Sequence, residues 1–482
     1  MNDRSKYLAK NTAIFAIGSL GTKLIAFFLG PFYSYVLERE EFGTTDLIFT
    51  ISTVIVPLIM FNLGEAVRRF CLDQDVDYQK IFDISLITFA FGTVVALLIF
   101  PIAGLFPVIA EYRLYLYLYV VLFAIKQICL DFLRGREQLK LYSGSNILYS
   151  LLIAVLNILF LAVYKMGVEG YLMAYIISEA LVIVFVFLAG RLYKLIRRPR
   201  IDRQLARKMI LFSLAVVPNS LLWWVVNSSD RVMVTAMRGL SEQGLLGMGA
   251  KIPSILTLVN TVFLQAWQYS AIREKDSDTK DEYTNDMFSQ FVKASVLVAG
   301  SLILVVRPLT WLLYEKSYYE SWQSSIFLLL GFVFMGVSTF IGTAYYVEKN
   351  MVGNMLSALS GAIANLFLNW LLIPKMGAAG ATLAACISYV IILVYRHIDT
   401  KKYQNIKLIR KDYLVMTGLL IVMTVLNFVK GYAAIGGMAA AYLVLLAMNY
   451  SYVKGIVVKA FGEGMKFLKR LRHRSAEQGD AK

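Results

Sequence analysis

The sequence predicts an all-α polytopic membrane protein of about fourteen transmembrane helices: two parallel-related six-helix bundles plus two C-terminal helices. Three observations predict it. The 482 residues are 58% hydrophobic and only 17% charged, with mean hydropathy +0.63, well away from the composition of a soluble domain. Apolar runs long enough to cross about 30 Å of hydrocarbon recur along the whole chain. A fourteen-residue motif also repeats at the same topological place in each half. A β-barrel is excluded, because barrel strands alternate over about ten residues instead of forming continuous apolar blocks.

The first run, 11–37, follows "MNDRSKYLAK". It is too long for a signal-peptide core and has no small-residue cleavage site, so it is expected to stay as helix one. Runs at 44–70, 81–106, 114–133, 144–164 and 170–195 complete a first bundle, residues 1–196. A basic connector, 197–208, leads to runs at 209–237, 244–271, 287–314, 323–347, 354–374 and 379–397, a second bundle over 209–397. Two accessory helices, 413–429 and 434–453, fall in the segment 398–453. The basic tail 454–482 has apolar residues near helical spacing, which suits either an amphipathic helix on the membrane surface or a solvated tail.

Charge supports this count. With the N-terminus inside, most of the 48 Lys and Arg fall in loops and termini on one side, as expected for cytoplasmic loops. One missed helix would scramble that alternation. Both termini are therefore expected in the cytoplasm. The net charge of +16 suits anionic lipid headgroups and needs no nucleic acid. Cys71, Cys129 and Cys386 are too far apart for a disulfide framework or zinc motif.

The duplication rests on "KMGVEGYLMAYIIS" (Lys165–Ser178) and "KMGAAGATLAACIS" (Lys375–Ser388), related by a constant offset of 210 residues. A weaker echo pairs "EREEFGTTDL" with "LSEQGLLGMG". Six spans per unit is an even number, so the two units run in the same sense, about an axis along the membrane normal.

Ionisable groups inside spans cost at least about 2.5–3.5 kcal/mol at the bilayer centre. Lys23, Lys126, Glu65, Glu179, Asp230, Arg231 and Lys251 all fall in that region. Arg68, Arg69 and Asp131 sit near span ends and are expected to snorkel. Lys23 and Lys251 each follow a Gly-rich stretch and, with Arg231, are expected to line a central cavity. Asp230 and Arg231 are adjacent, about 100° apart on a helix, so each is expected to find its partner elsewhere. An interhelical salt bridge is the competing account. Asn157, Asn365 and Asn369 are polar cavity candidates, with helix-to-helix hydrogen bonding as the plainer alternative. Pro57, Pro218 and Pro253 mark expected bends.

Three stretches carry a family resemblance: "KNTAIFAIGSLGTKLIAFFLGPFYSYVLEREEFGTTDL", "LLWWVVNSSDRVMVTAMRGLSEQGLLGMGAKIPSILTLVNTVFLQAWQYSAI" and "KMGAAGATLAACISYVIILVYR". The chain resembles bacterial polysaccharide-biosynthesis flippases of the multidrug/oligosaccharidyl-lipid/polysaccharide exporter superfamily. The resemblance implies alternating-access transport of undecaprenyl-diphosphate-linked oligosaccharide units from the inner to the outer leaflet of the bacterial cytoplasmic membrane. It implies no cofactor beyond coupling to a proton or sodium gradient, with Asp230, Glu65 and Glu179 as the acids available. Its implied partners are the lipid-linked glycan, the bilayer and other polysaccharide-assembly proteins. Arg231, Lys251 and Lys23 carry over as a cationic substrate cavity. Lipid-II flippases of this superfamily have an acidic ion site on the eleventh span; here that span offers Asn365 and Asn369 without an acid.

Two rivals share the superfamily, a lipid-II-type flippase and a multidrug antiporter. Antiporters usually have twelve spans and an acidic cavity. A membrane glycosyltransferase would need more than the acids of "DQDVD" (Asp73–Asp77) and "DSD" (Asp276–Asp278). Those lie in short loops, and His397 and His473 lie at cytoplasmic ends, leaving no central base, so an enzyme is not expected.

Overall fold

The computed structural model describes residues 21–73, 77–104, 107–196, 202–275, 277–455 and 458. The N-terminal twenty residues, most of the predicted amphipathic tail and part of the basic connector lie outside them. Helices occupy all fourteen predicted places. In the first half they are α1 (21–36), α2 (Arg39–Ile59), α3 (Leu63–Phe70), α4 (Tyr78–Ala103), the short α5 (Pro107–Ala110), α6 (Arg113–Gly135), α7 (Leu139–Asn157) and α8 (Gly167–Ala189). The second half has α9 (Arg203–Arg238), α10 (Leu240–Gly249), α11 (Ser254–Arg273), α12 (Lys280–Leu313), α13 (Ser321–Val347) and α14 (Met351–Asp399). Then follow α15 (Lys411–Leu426) and α16 (Tyr432–Met448).

Local chemistry explains where spans break. The second predicted span is two helices, because Phe61 and Asn62 take left-handed backbone just after Pro57. Pro253 separates α10 from α11, whose axes differ by 50°. Pro218 instead lies within an unbroken α9. The eleventh and twelfth spans form one helical run kinked at Gly377, whose φ of 58° suits glycine. Among the described residues, nine helices are long and apolar enough to cross a membrane, ten with the bent α10–α11 pair. The difference from fourteen lies in the merged α14, the short α15 and α16, and the part of helix one outside the described residues.

α2, α3, α4, α6, α7 and α8 pack as one bundle and α9 to α14 as another, with α15 and α16 laid on α12. Arg307 helps hold the accessory pair. Its guanidinium donates to the Asn427 carbonyl at 3.1 Å and sits 4.8 Å from the Trp322 ring. Large apolar side chains remain exposed along outward faces, Ile363, Phe367 and Trp370 on α14 among them. In water that pattern would be a liability; against lipid tails it is the stable arrangement.

The duplication is visible in three dimensions. α2 and α10 cross where Gly43 meets the Leu240 carbonyl and Gly244 meets the Arg39 carbonyl. Both contacts are too close for any Cβ. Each unit also sets a glutamate beside the glycine of its KMG turn: Glu41 by Gly167 and Glu242 by Gly377. The Glu242 carboxylate accepts the Ala378 N–H at 3.0 Å, capping the second half of α14. The two sequence echoes therefore face one another, and together they close one end of the molecule. The same end is tied by the Glu315 N–H to Ser34 Oγ at 3.1 Å and by Tyr318 Oη to the Leu37 carbonyl at 3.1 Å.

Candidate substrate site

Just inside that closed end, Arg231 on α9 reaches across to α2. Its Nε donates to Asp46 Oδ2 at 2.9 Å, and Gln243 Nε2 on α10 donates to the same oxygen at 2.7 Å. Both side chains of the ion pair keep about a fifth of their surface accessible, 21% for Arg231 and 20% for Asp46. Asp46 fits because Gly247, its counterpart on α10 in the register that matches Glu41 with Glu242 and Gly43 with Gly244, leaves room for it: a Cβ there would meet the carboxylate at 3.0 Å. Lys251, in the break between α10 and α11, lays its stem along Gly30 of α1 and points its ammonium at the Phe42 ring, 5.5 Å from the centroid. It lies within electrostatic reach of Asp46, Arg231 and Lys23. Lys23 itself is exposed on α1. Arg231 and Lys251 are therefore brought together beside Asp46, at the junction of both bundles, with Lys23 within electrostatic reach of Lys251.

Asp46 was not among the interior charges that the sequence singled out. It stands about two turns into α2, among threonines, where an acid reads as part of a helix start. Its partner is 185 positions away, and no local pattern encodes that pairing.

Asp230 points elsewhere, as its 100° offset requires. It is buried near Tyr389 of α14, whose hydroxyl donates to Asn227 Oδ1 at 2.9 Å. Beside it, Ser229 Oγ donates to Asn365 Oδ1 at 3.3 Å, and Asn369 Nδ2 donates to the same oxygen at 2.9 Å. The buried Asn365 Nδ2 and Asn369 Oδ1 have no hydrogen-bond partner among the described residues. One expectation needs correction: Asp230 and Arg231 do touch. The Arg231 N–H donates to Asp230 Oδ1 at 2.9 Å and the guanidinium lies 3.8 Å from it. The flexible arginine stem curls back where rigid side chains could not.

The remaining candidates lie apart from this cluster. Glu179 is fully buried between α6, α7 and α8, paired to Lys126 at 2.7 Å and accepting from Tyr149 Oη at 2.6 Å. Glu65 binds Arg68 at 2.5 Å, and Arg68 also pairs with Asp131. Asp131 is 1% exposed, so it does not snorkel; Gln127 and Arg68 satisfy it inside the bundle. With Asn62 and Thr53 these groups line a cavity of about 290 Å³. Asn157 is buried and donates to the Ile153 carbonyl at 2.8 Å, at the point where the helix widens into a π-turn over Ile158–Val163.

A family model described as Polysaccharide biosynthesis protein matches residues 8–269, more than half of the chain. The chain belongs to that polysaccharide biosynthesis family. The matched stretch contains α1, α2, α9 and α10, and so every member of the Arg231–Asp46–Lys251–Lys23 cluster. Solved structures share the fold. Lipid II flippase MurJ in an inward closed conformation gives a TM-score of 0.69 at 14% identity, over 92% of this chain and 99% of that one. An inward-facing multidrug resistance MATE family transporter of the MOP superfamily gives 0.60 at 15% identity, over 80% and 97%. An outward-facing multidrug resistance MATE family transporter of the same superfamily gives 0.56 at 13% identity, over 82% and 95%. At these identities the likeness is one of fold. No curated protein matches the sequence.

Proposed function

We propose that this family member is a flippase that moves an undecaprenyl-diphosphate-linked oligosaccharide across the bacterial cytoplasmic membrane, with both termini in the cytoplasm, for surface polysaccharide export. The observation that carries this reading is the cluster of Arg231, Lys251 and Lys23 where the two bundles meet, with Asp46 reaching Arg231 from the other bundle. A diphosphate brings two or more negative charges, and Arg in a site of reduced dielectric binds such oxyanions with charge-assisted, bidentate hydrogen bonds. Asp46 then acts as a resident counter-ion: it keeps Arg231 paired while the site is empty and yields it to the incoming phosphates. The bundle boundaries, residues 1–196 and 209–397, define the two bodies that rock about this point.

The cationic cluster favours a lipid diphosphate over a cationic drug. A lipid-II-type precursor carries the same diphosphate, so the family model, and not the charge, favours a polysaccharide unit. For coupling, Asp230 with the unpartnered amide atoms of Asn365 and Asn369 is the candidate ion site; Glu179 and Glu65 lie apart from it, in the first bundle.

The test is Arg231→Ala in a strain dependent on this chain for surface glycan, with membrane insertion checked by immunoblot. Export is expected to fall at least ten-fold with insertion intact. Normal surface glycan would overturn the assignment.

A further inference from the structure

A second cavity lies away from the Arg231 cluster. It occupies about 410 Å³ inside the second bundle, between α9, α11, α13 and α14. Arg396, near the end of α14, forms part of its wall. This arginine is 2% exposed, yet every protein acceptor it has among the described residues is neutral. Nε donates to Ser357 Oγ at 2.9 Å, Nη1 to the Ser338 carbonyl at 3.1 Å and Nη2 to Asn354 Oδ1 at 2.8 Å. Among the described residues no carboxylate pairs with it. An arginine has five N–H donors, so two remain free.

A charge withdrawn from water without a counter-ion is costly, and the fold keeps space for it. A Cβ at Gly342 would strike the Arg396 guanidinium. Trp223 of α9 lies under it, with the guanidinium carbon 5.3 Å from the ring. The other cavity walls carry Gln265 and Gln268, two amides without hydrogen-bond partners among the described residues, and Thr261. An aromatic face beside unpaired amides suits the alternating apolar and hydroxyl faces of a sugar ring. An unpaired guanidinium adds a demand for an oxyanion.

The two cationic sites are set on one ruler. Trp223 precedes Arg231 by eight positions on α9, which is about 12 Å along a helix axis. A single diphosphate cannot bridge that gap, whereas a glycan attached to one can.

We propose that the Arg396 cavity is a second subsite, which holds an acidic sugar of the glycan while Arg231, Lys251 and Lys23 hold its diphosphate. This rests on the flippase reading above and narrows it, selecting repeat units that carry a carboxylate. The oxyanion at Arg396 has two sources, a sugar carboxylate or the phosphates themselves, and the probes separate them.

The experiment is calorimetric titration of the full chain in phosphatidylcholine nanodiscs. The probes are inorganic diphosphate, a tetrasaccharide of alternating glucuronate and N-acetylglucosamine, and neutral maltotetraose. The acidic tetrasaccharide is expected to bind at least ten-fold tighter than the neutral one. Arg396→Gln should reduce that preference below two-fold and leave diphosphate binding unchanged; Arg231→Gln should do the reverse. Equal affinity for the two tetrasaccharides, an unchanged preference in Arg396→Gln, or a loss of diphosphate binding in that variant would overturn the proposal. If Arg396→Gln does not fold, Thr261→Phe fills the cavity from an exposed position without touching the guanidinium. It should abolish acidic binding, and undiminished binding would overturn the subsite. Failure of diphosphate to depend on Arg231 would instead count against the flippase site alone.

Discussion

Gly43 and Gly244 seal the two bundles by mutual backbone contact: each lies against the carbonyl of the residue that begins the other's helix, Leu240 for Gly43 and Arg39 for Gly244. Neither contact tolerates a methyl group, so Gly43→Ala or Gly244→Ala is expected to spring this end open. Overpacking of this kind costs about 1–3 kcal/mol, and about 1.4 kcal/mol already shifts a two-state population ten-fold. Spin labels on the exposed Glu38 and Lys316 positions would read the change, since all three native cysteines are buried. The interlabel distance distribution should gain a longer component; an unchanged distribution would show that the seal lies elsewhere.

Asp46 and the phosphates compete for one guanidinium. Asp46→Asn removes the charge and keeps the shape, so inorganic diphosphate is expected to bind more tightly. The partly exposed ion pair is worth on the order of 1 kcal/mol, which corresponds to about five-fold in affinity. Export should slow as release becomes harder. Weaker diphosphate binding in this variant would mean that Asp46 organises the site and does not compete in it.

The Lys126–Glu179 pair is buried, with the ammonium 3.6 Å from the Tyr149 ring centroid. Breaking it from one side leaves an uncompensated charge, at a cost of about 3–5 kcal/mol. Glu179→Gln or Lys126→Met alone should lower the melting temperature in detergent by several degrees, and the double variant should recover most of it. If the double variant is as unstable as either single one, the residues act independently and the pair is not the stabilising unit.

Glu348, outside the spans, accepts from Lys275 at 2.9 Å and lies 3.6 Å from Lys280. The Lys275 hydrogen bond holds its carboxyl below the ordinary glutamate value of 4.5. A depressed carboxylate pKa contributes stability above the unfolded value and loses it as pH falls through the folded one. Glu348→Gln should therefore melt below the native chain at pH 7, and the gap should close as pH falls below about 4.5. A gap that persists at pH 3 would assign the effect to packing.

Helix positions were legible because lipid imposes a long apolar run on every crossing, and the repeat was legible because both copies kept the KMG turn. The cations Lys23, Arg231 and Lys251 could be picked out because charge inside a span is conspicuous. Their meeting point could not, since it depends on contacts between helices far apart in sequence. Two residues were overlooked for local reasons. Asp46 follows Glu40 and Glu41, so it reads as one more acid at a helix start. Arg396 lies at the end of the run 379–397, just before Lys401 and Lys402, so it reads as a span-end charge, although three hydrogen bonds fix it inside the bundle.

In the register that matches Glu41 with Glu242 and Gly43 with Gly244, Asp46 and Gly247 occupy equivalent places in the two copies, and that inequality has a physical reason. If one six-helix chain once paired with itself, an aspartate there would have appeared twice and set two carboxylates against each other on the dimer axis. Like charges at that range repel. One copy can keep the acid only while the other stays small enough at its matching place to admit it. The carboxylate that reaches Arg231 from the other bundle is thus an asymmetric feature, one that two identical copies could not share.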